Sequence, residues 1–189
     1  VHRIDWLVVT HQDQDHIGGL QAVVEQIPVG TVVMNGTWKG NEASRKLFET
    51  GMRQGADIVT MPRQQSVPID AETEWTVWTP GMDGDRVRLA EEQNNESVML
   101  LVRMRGTRFL FTGDMEAEQE EDILASLTRD QPVAVSSLPD EPPASGRSPA
   151  SWAPIDVLKV AHHGSKTSTT DDWLNFWKPR AAVISVGAK

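Results

Sequence analysis

The sequence predicts an α/β domain with two mixed sheets and helices on their outer faces. Two observations lead to this fold class. Short apolar runs typical of buried strands alternate along the chain with segments whose apolar residues recur at helical spacing. Residues of the kind that bind metals follow several of these strands, and such side chains meet where the edges of packed sheets come together.

The first half of the chain alternates strands and helices. The apolar run at 4–10 predicts a buried strand, and apolar side chains recur at helical spacing in a short helix over 18–26. Gly55 is expected to end the next helix, because glycine is common just after a helix. The remaining elements predicted in this half are strands at 31–34, 57–61 and 75–79 and a helix at 42–54.

The middle of the chain predicts a polar loop, a hairpin and a helix. Residues 81–93 are polar and are expected to form a loop. Apolar strands at 97–104 and 108–112 flank Gly106, which is typical of two strands joined by a tight turn. An acidic helix is predicted at 116–127.

A proline-rich segment at 136–154 separates these elements from the last ones. It holds five of the eleven prolines together with serine and alanine, so we interpret it as a flexible insertion within the domain. The elements predicted after it are a strand at 156–161, a helix at 170–177 and a strand at 181–186.

Length and chain ends predict a single domain that comes from a longer protein. The 189 residues fit one domain, 1–189. The chain lacks an initiator methionine, opens almost at once on a buried-type strand and stops just after another. We therefore expect a fragment. No apolar run approaches the ~20 residues of a membrane-spanning helix.

Charge and cysteine content exclude several classes of function. Eighteen basic and 27 acidic residues give a net charge of -9, which argues against a broad electrostatic surface for nucleic acid. A local site in which metal ions supply the positive charge stays open. The absence of cysteine excludes disulfides, thiolate zinc sites and cysteine nucleophiles.

The segment 10–19 is the most informative part of the sequence. Divalent metals need several lone-pair donors at about 2.0–2.2 Å, and a short loop after a strand can supply three of them. Gly18 and Gly19 close the loop. A solvated acidic loop with incidental histidines is the alternative to a metal site. The candidate ligands lie within six residues, at His11, Asp13, Asp15 and His16.

A second candidate ligand follows the strand at 108–112. Asp114 comes directly after Thr112 and Gly113, and an aspartate in that place can bridge two metals through its two oxygens. By itself it would be interpreted as an ordinary turn residue. The presence of the first motif favours a metal ligand.

Adjacent histidines mark a third motif. On a strand, His162 and His163 would point to opposite faces, so only one of them is expected to face the metals. The other can pack, donate a hydrogen bond to the substrate or act as a general acid. Ser165, Lys166 and Ser168 can offer donors to a phosphate, although serine and threonine before a helix more often cap it.

A fourth polar element, Asn94–Ser97, precedes the strand of the hairpin and would by itself be a polar loop. The four elements in this order resemble the metallo-β-lactamase superfamily, and more closely the metallohydrolase domain of the ComEC/Rec2 DNA-uptake (competence) channel family. That family shows the patterns H-x-D-x-D-H-x-G-G, N-N-x-S, T-G-D and K-V-x-H-H-G-S-x-x-S. The matching segments are His11–Gly19, Asn94–Ser97, Thr112–Asp114 and Lys159–Ser168.

The resemblance covers nearly the whole chain and implies an αββα sandwich with the site at the edge between the sheets. The opening strands of the family are missing from this sequence. Asp13 stands where the superfamily usually has histidine, which makes the ligand set richer in oxygen and favours Mn²⁺ or Zn²⁺. The resemblance implies one or two such ions, held by His11, Asp13, Asp15, His16, Asp114 and one of the paired histidines, which we assign to His162.

The resemblance also implies roles in catalysis and substrate binding. Asp15 is expected to orient the attacking water, with His163 and Lys166 as further catalytic groups. The residues expected to contact substrate are Asn95, Ser97, Ser165, Lys166 and Ser168.

The activity that the resemblance implies is metal-dependent hydrolysis of phosphodiesters in DNA during DNA uptake. It further implies an extracytoplasmic domain attached to the remainder of a membrane channel, and no small organic cofactor. Three alternatives stay open. They are a hydrolase of a small phosphodiester, thioester or lactam, a non-catalytic metal-binding module of a membrane channel, and a domain whose site has decayed.

Overall fold

The computed structural model of the protein describes residues 1–80, 87–128 and 152–187. The helices are α1 (Gln14–Ile17), α2 (Leu20–Gln26), α3 (Glu42–Arg53), α4 (Ala117–Thr128) and α5 (Asp171–Trp177). The strands are β1 (Ile4–Val8), β2 (Val29–Met34), β3 (Thr37–Trp38), β4 (Asp57–Thr60), β5 (Gln64–Pro68), β6 (Thr73–Trp78), β7 (Arg88–Leu89), β8 (Met99–Met104), β9 (Thr107–Phe111), β10 (Val157–Lys159) and β11 (Ala181–Val183).

Two main sheets carry these strands. The larger has the order β11-β10-β9-β8-β6-β5 and is mixed, because β9, β10 and β11 run parallel while β5, β6, β8 and β9 pair antiparallel. The smaller has the order β1-β2-β4 and is parallel throughout, although the sequence predicted two mixed sheets. Helices connect its strands, and a helical crossover returns the chain in a parallel direction. Strands β3 and β7 form a separate short pair.

Three apolar clusters show how the layers stack. One packs α2 and α3 on the outer face of the smaller sheet, around Val24, Val32 and Leu47. A second contains residues of both sheets, such as Val33 and Val77, and so lies between them. The third packs α4 and α5 on the outer face of the larger sheet, around four tryptophans and Leu110, Ile123 and Leu158. The predicted αββα sandwich is confirmed.

Several local features differ from the sequence predictions. Strands β3 and β7 were not predicted, and β7 lies within the segment predicted as a loop at 81–93. The helix predicted at 18–26 is preceded by a separate turn, α1, so the helical region begins inside the metal-type motif. Strand β5 was not predicted, because it is polar and ends in Pro68 at the sheet edge, where a missing N–H is tolerated. The strand predicted at 156–161 ends at Lys159, and residues 161–164 form a tight 3₁₀ turn.

The proline-rich segment predicted as an insertion falls largely outside the described residues, as does part of the loop predicted at 81–93. Trp152, near its end, is buried in the cluster against α4 and α5, with its ring 5.3 Å from that of Trp78. The end of the segment therefore belongs to the core. Among the described residues, no helix has both the length and the apolar character needed to cross a membrane.

Candidate metal centre

The first contribution to the centre comes from the chain after β1. Buried His11 leads into α1, a single helical turn that places Asp15 and His16 at consecutive positions. The turn is closed by hydrogen bonds from the N–H groups of His16 and Ile17 to the carbonyl oxygen of Asp13, at 2.9 and 3.0 Å. Helical geometry, not loop flexibility, therefore sets where these side chains point.

The second contribution comes from the turn after β9. Gly113 has a φ of +55°, and a Cβ at this position would lie 2.7 Å from the hydroxyl oxygen of Ser97, so only glycine fits. The backbone N–H of Asp114 donates to that same hydroxyl at 3.0 Å. The ammonium of Lys159 donates to the Gly113 carbonyl at 2.8 Å. The peptide group that joins Gly113 to Asp114 is thus held at both its oxygen and its nitrogen.

The third contribution comes from the turn after β10. Both His162 and His163 have left-handed backbones, with φ of 44° and 52°. Such conformations cost about 1–3 kcal/mol for residues other than glycine and concentrate at functional sites. Nδ1 of His163 lies 2.6 Å from the carbonyl oxygen of Ser185, which can only accept, so Nδ1 carries the proton and Nε2 is free to bind a cation.

Four side chains from these segments converge. Asp15, His16, Asp114 and His163 each offer one ligand atom, and these atoms lie within 4.8 Å of one another. Nε2 of His163 is 3.1 Å from Asp15 Oδ2 and 3.3 Å from Asp114 Oδ2. The Asp114 side chain is 4% exposed and the Asp15 side chain 63%, so the cluster has a buried floor and opens to solvent at Asp15.

The electrostatics of the centre keep the Asp114 carboxylate charged and the His11 imidazole neutral. Burial and, to a smaller extent, the neighbouring His16 lower the pKa of His11 to about 4 against the opposing effect of nearby aspartates. Burial alone would raise the pKa of Asp114. The hydrogen bond from His16 and the positive charge of His16 and Lys159 outweigh it and hold that pKa well below its usual range.

The chemistry of these residues fits a divalent metal ion. Two carboxylates and two imidazoles form a mixed oxygen and nitrogen set of the kind that binds zinc or manganese. Within the described part of the chain, Nε2 of His11 is buried next to this set and has no hydrogen-bond partner. This nitrogen is therefore a further lone-pair donor beside the group of four, and its ring lies 4.0 Å from that of His16.

Three residues predicted as ligands, His11, Asp13 and His162, lie outside the group of four. Asp13 forms an ion pair with Lys39, with Oδ1 and Nζ 2.5 Å apart. Nδ1 of His162 lies 3.2 Å from a carboxylate oxygen of Glu116, so in this structure His163 takes the ligand position that the sequence analysis gave to His162. The left-handed turn explains the exchange, because the expected alternation of a strand does not apply to it.

The residues predicted to bind substrate divide into two groups. Buried Ser97 accepts from Asp114, and buried Ser168 donates to the Ala161 and Ser165 carbonyls, so both hold the protein's own backbone. Asn95 accepts from the Glu116 N–H. Ser165 is partly exposed, with its hydroxyl 2.9 Å from that of Thr167, and Lys166 is exposed.

Sequence reasoning missed several residues that position the centre. Buried Gln12 accepts from the N–H of Lys39 and donates to the Thr37 carbonyl, and its own N–H donates to the side chain of buried Gln93. Buried Glu120 of α4 accepts from the turn before α5. A glutamine between motif residues carries no signal of burial, and an acidic helix is normally interpreted as a solvated face.

Comparison with known proteins gives the family. The model of the metallo-beta-lactamase superfamily matches residues 2–188. Among solved structures, that of Zn(2+)-bound PqqB from Methylobacterium extorquens is similar at a TM-score of 0.43 and 17% identity, covering 82% of this chain and 44% of that one.

Three curated relatives match almost the whole chain but extend well beyond it. ComE operon protein 3 of Bacillus subtilis (strain 168) is 26% identical over 187 residues, which are 99% of this chain and 20% of that protein. Competence protein ComA of Neisseria gonorrhoeae is 30% identical over 191 residues, covering 99% and 20%. Recombination protein 2 of Haemophilus influenzae is 25% identical over 184 residues, covering 97% and 18%. The chain is a member of the metallo-β-lactamase superfamily with relatives in the ComEC/Rec2 family of competence proteins, and it spans about a fifth of their length.

Proposed function

We propose that the chain is a divalent-metal-dependent phosphodiesterase that cleaves DNA during its uptake. The observation that carries the proposal is the convergence of Asp15, His16, Asp114 and His163 at a site that is buried on one side and open on the other. Asp15, the most exposed of the four, stands where a substrate can reach the ligand atoms.

Four residues would hold the ion, and they are Asp15, His16, Asp114 and His163. A divalent ion bound there would supply Lewis-acid chemistry, lowering the pKa of water towards neutral pH and offsetting charge on phosphate oxygens. The buried Asp114 contributes a carboxylate whose orientation is set by its backbone contacts. The Ser185 carbonyl sets the tautomer and direction of His163.

Asp15 is the proposed catalytic group for the attacking water. Its Oδ2 lies 3.1 Å from Nε2 of His163 in this structure, so one oxygen is close to the other ligand atoms while most of the side chain faces solvent. A carboxylate in that position can accept a hydrogen bond from water and direct its lone pair towards phosphorus. His163 supports this role as a ligand and as the partner of Asp15.

Ser165 and Lys166 are the proposed contacts to the phosphate. They follow His163 in the same turn, and Lys166 is exposed. An ammonium and a hydroxyl can donate to non-bridging phosphate oxygens, and charged donors form the stronger hydrogen bonds. This local positive charge is compatible with a chain whose net charge is -9, because it lies beside the site.

The names of the relatives support DNA as the substrate. One is named a competence protein and another a recombination protein, and all three relatives match this chain over nearly its full length. Since this chain covers about a fifth of them, we propose that it acts as the extracytoplasmic metallohydrolase domain of a larger competence channel, which would be its partner.

Cleavage of single- and double-stranded DNA with Mn²⁺ or Zn²⁺, and with chelator, tests the proposal. We expect cleavage that the chelator abolishes. Asp15→Ala should reduce the rate by at least ~10²-fold, because a positioned acid–base group contributes about 10²–10⁴. Asp5→Ala is the matched control, since Asp5 is an exposed aspartate of β1 that pairs with Arg3 on the surface.

Two outcomes would contradict the proposal in different ways. Full activity in Asp15→Ala would remove the assigned role of Asp15 while leaving the metal centre. Metal binding without cleavage of any DNA would exclude a nuclease. Turnover of a small phosphodiester, thioester or lactam would then identify another hydrolase, and its absence a metal-binding module.

A further inference from the structure

We propose that Lys39 is a built-in counterion for Asp13 and that the centre consequently binds one divalent ion tightly, not two. The inference rests on the metal centre of the proposed function and adds its stoichiometry. It concerns His11 and Asp13, the two candidate ligands of the first motif that lie outside the group of four.

The ion pair between Lys39 and Asp13 is partly shielded from solvent. Nζ of Lys39 lies 2.5 Å from Oδ1 of Asp13, and the two side chains are 28% and 29% exposed. A charge pair with this little exposure is screened less by water and salt than a pair on the open surface. The carboxylate of Asp13 is therefore already neutralised by the protein.

The fold places the lysine beside the aspartate. The backbone N–H of Lys39 donates to the side-chain oxygen of Gln12 at 3.2 Å, and the side-chain nitrogen of Gln12 donates to the Thr37 carbonyl. Gln12 is fully buried and directly precedes Asp13 in the chain. One buried amide thus joins the segment that carries the ammonium to the segment that carries the carboxylate.

The ligands that remain are too few for a second tight site. With Asp13 engaged by Lys39, a second ion would have Nε2 of His11 and a share of Asp114. Metal sites in proteins commonly use three or four protein ligands, so the second position is at least one ligand short.

The charges of the region lead to the same stoichiometry. Asp15 and Asp114 carry two negative charges, which one divalent ion balances. Lys39 balances Asp13, and Lys159 adds a further positive charge 3.5 Å from Asp114. A second divalent ion would enter a region in which the charges of Asp13, Asp15 and Asp114 are already balanced, and it would be repelled by both ammonium groups.

The test counts bound ions in the purified chain and its variants. Metal-free protein is titrated with Mn²⁺ or Zn²⁺ by calorimetry, and bound metal is measured by elemental analysis after gel filtration. We expect one ion per chain in the wild type. Lys39→Met keeps the length and apolar stem of the side chain, removes the charge and frees Asp13, so a second ion should bind. Lys46→Met, at an exposed lysine of α3, should leave the stoichiometry at one.

Each outcome either supports or overturns the inference. Two ions of comparable affinity in the wild type would overturn it and leave the proposed function standing. A single ion in Lys39→Met, in a variant shown to be folded by circular dichroism, would also overturn it. If Lys39→Met does not fold, Lys39→Gln keeps a polar head without charge and should show the same gain. No bound metal in the wild type would overturn both this inference and the proposed function.

Discussion

The two histidine-bearing segments of the centre are held in place by different means. The segment from Thr10 to Asp13 is fixed by polar side chains inside the protein, above all by Gln12. The turn at 161–170 is fixed by backbone conformation, since His162 and His163 are left-handed, and by one carboxylate of a neighbouring helix, Glu120. The same requirement, a fixed imidazole, is met once by buried amides and once by a strained backbone.

This difference predicts which substitutions destabilise each segment, and by how much. A segment held by several neutral hydrogen bonds loses them one at a time, and each is worth about 0.5–1.5 kcal/mol. A segment in which one charged group accepts several hydrogen bonds loses all of these together when that group is removed, and hydrogen bonds to charged groups are worth about 1.5–3 kcal/mol each. Four predictions, from the largest expected effect to the smallest, test this contrast.

Glu120→Ala should have the largest effect. Glu120 is fully buried and accepts from the N–H of Thr169 and from the N–H and hydroxyl of Thr170 at 2.6–2.9 Å. Its loss leaves these donors unsatisfied and should lower the free energy of unfolding by about 4 kcal/mol. Urea denaturation measures this, with the exposed Glu121→Ala as control. A loss as small as that of the control would show that the turn is held by other contacts.

Acid should weaken the first segment through His11. Its pKa is about 4 in the folded protein against an ordinary value of 6.5, so the unfolded chain binds the proton more readily. The resulting stability is present above pH 6.5 and is lost as the pH falls from 6.5 towards 4. The loss in metal-free protein should reach about 3 kcal/mol. Urea denaturation across this pH range should show the slope in the wild type and a flatter profile in His11→Gln.

Gln12→Ala should lower the free energy of unfolding, measured by urea denaturation, by about 2 kcal/mol. The effect is smaller than that of Glu120→Ala because the buried partners of Gln12 lose only neutral hydrogen bonds. Exposed Gln14→Ala provides the matched control and should change little. The contrast between the two segments becomes clearer if Gln12→Ala also weakens metal binding, because Gln12 lies between His11 and Asp13 and its hydrogen bonds fix the position of this segment. A cost equal to that of Glu120→Ala would remove the distinction between the two segments.

His162→Asn should have the smallest effect and the opposite sign. Asparagine tolerates the left-handed conformation better than histidine, so the variant should be about 0.5 kcal/mol more stable. The thermal midpoint of the metal-free chain measures the change. A clear destabilisation would mean that the contact of His162 with Glu116 outweighs the backbone strain.

The fold was predictable because its strongest signals are local. Apolar periodicity located the cores of β2, α3, β8 and α5, and these elements bury the apolar faces that the pattern indicated. Strand β5 was not predicted because its place at a sheet edge depends on pairing with β6. Its own residues give no sign of that pairing. Whether a polar segment of this kind forms a strand depends on its pairing with a distant part of the chain.

The candidate site was predictable as a set of residues but not as a geometry. The motifs named Asp15, His16 and Asp114, which the structure brings together. They could not distinguish His162 from His163, because the choice depends on a left-handed turn that strand periodicity does not describe. Lys39 lies 26 positions from Asp13, and its proximity follows from the packing of β3 against the first motif.

The orientation of His163 depends on an atom that mutation cannot remove. Every amino acid at position 185 would present the same carbonyl oxygen, so substitutions there should preserve the hydrogen bond to Nδ1. The imidazole is consequently robust to changes of side chain and sensitive to displacement of the backbone that follows β11. Evolution can vary the composition of this segment freely, provided that the path of the chain is kept.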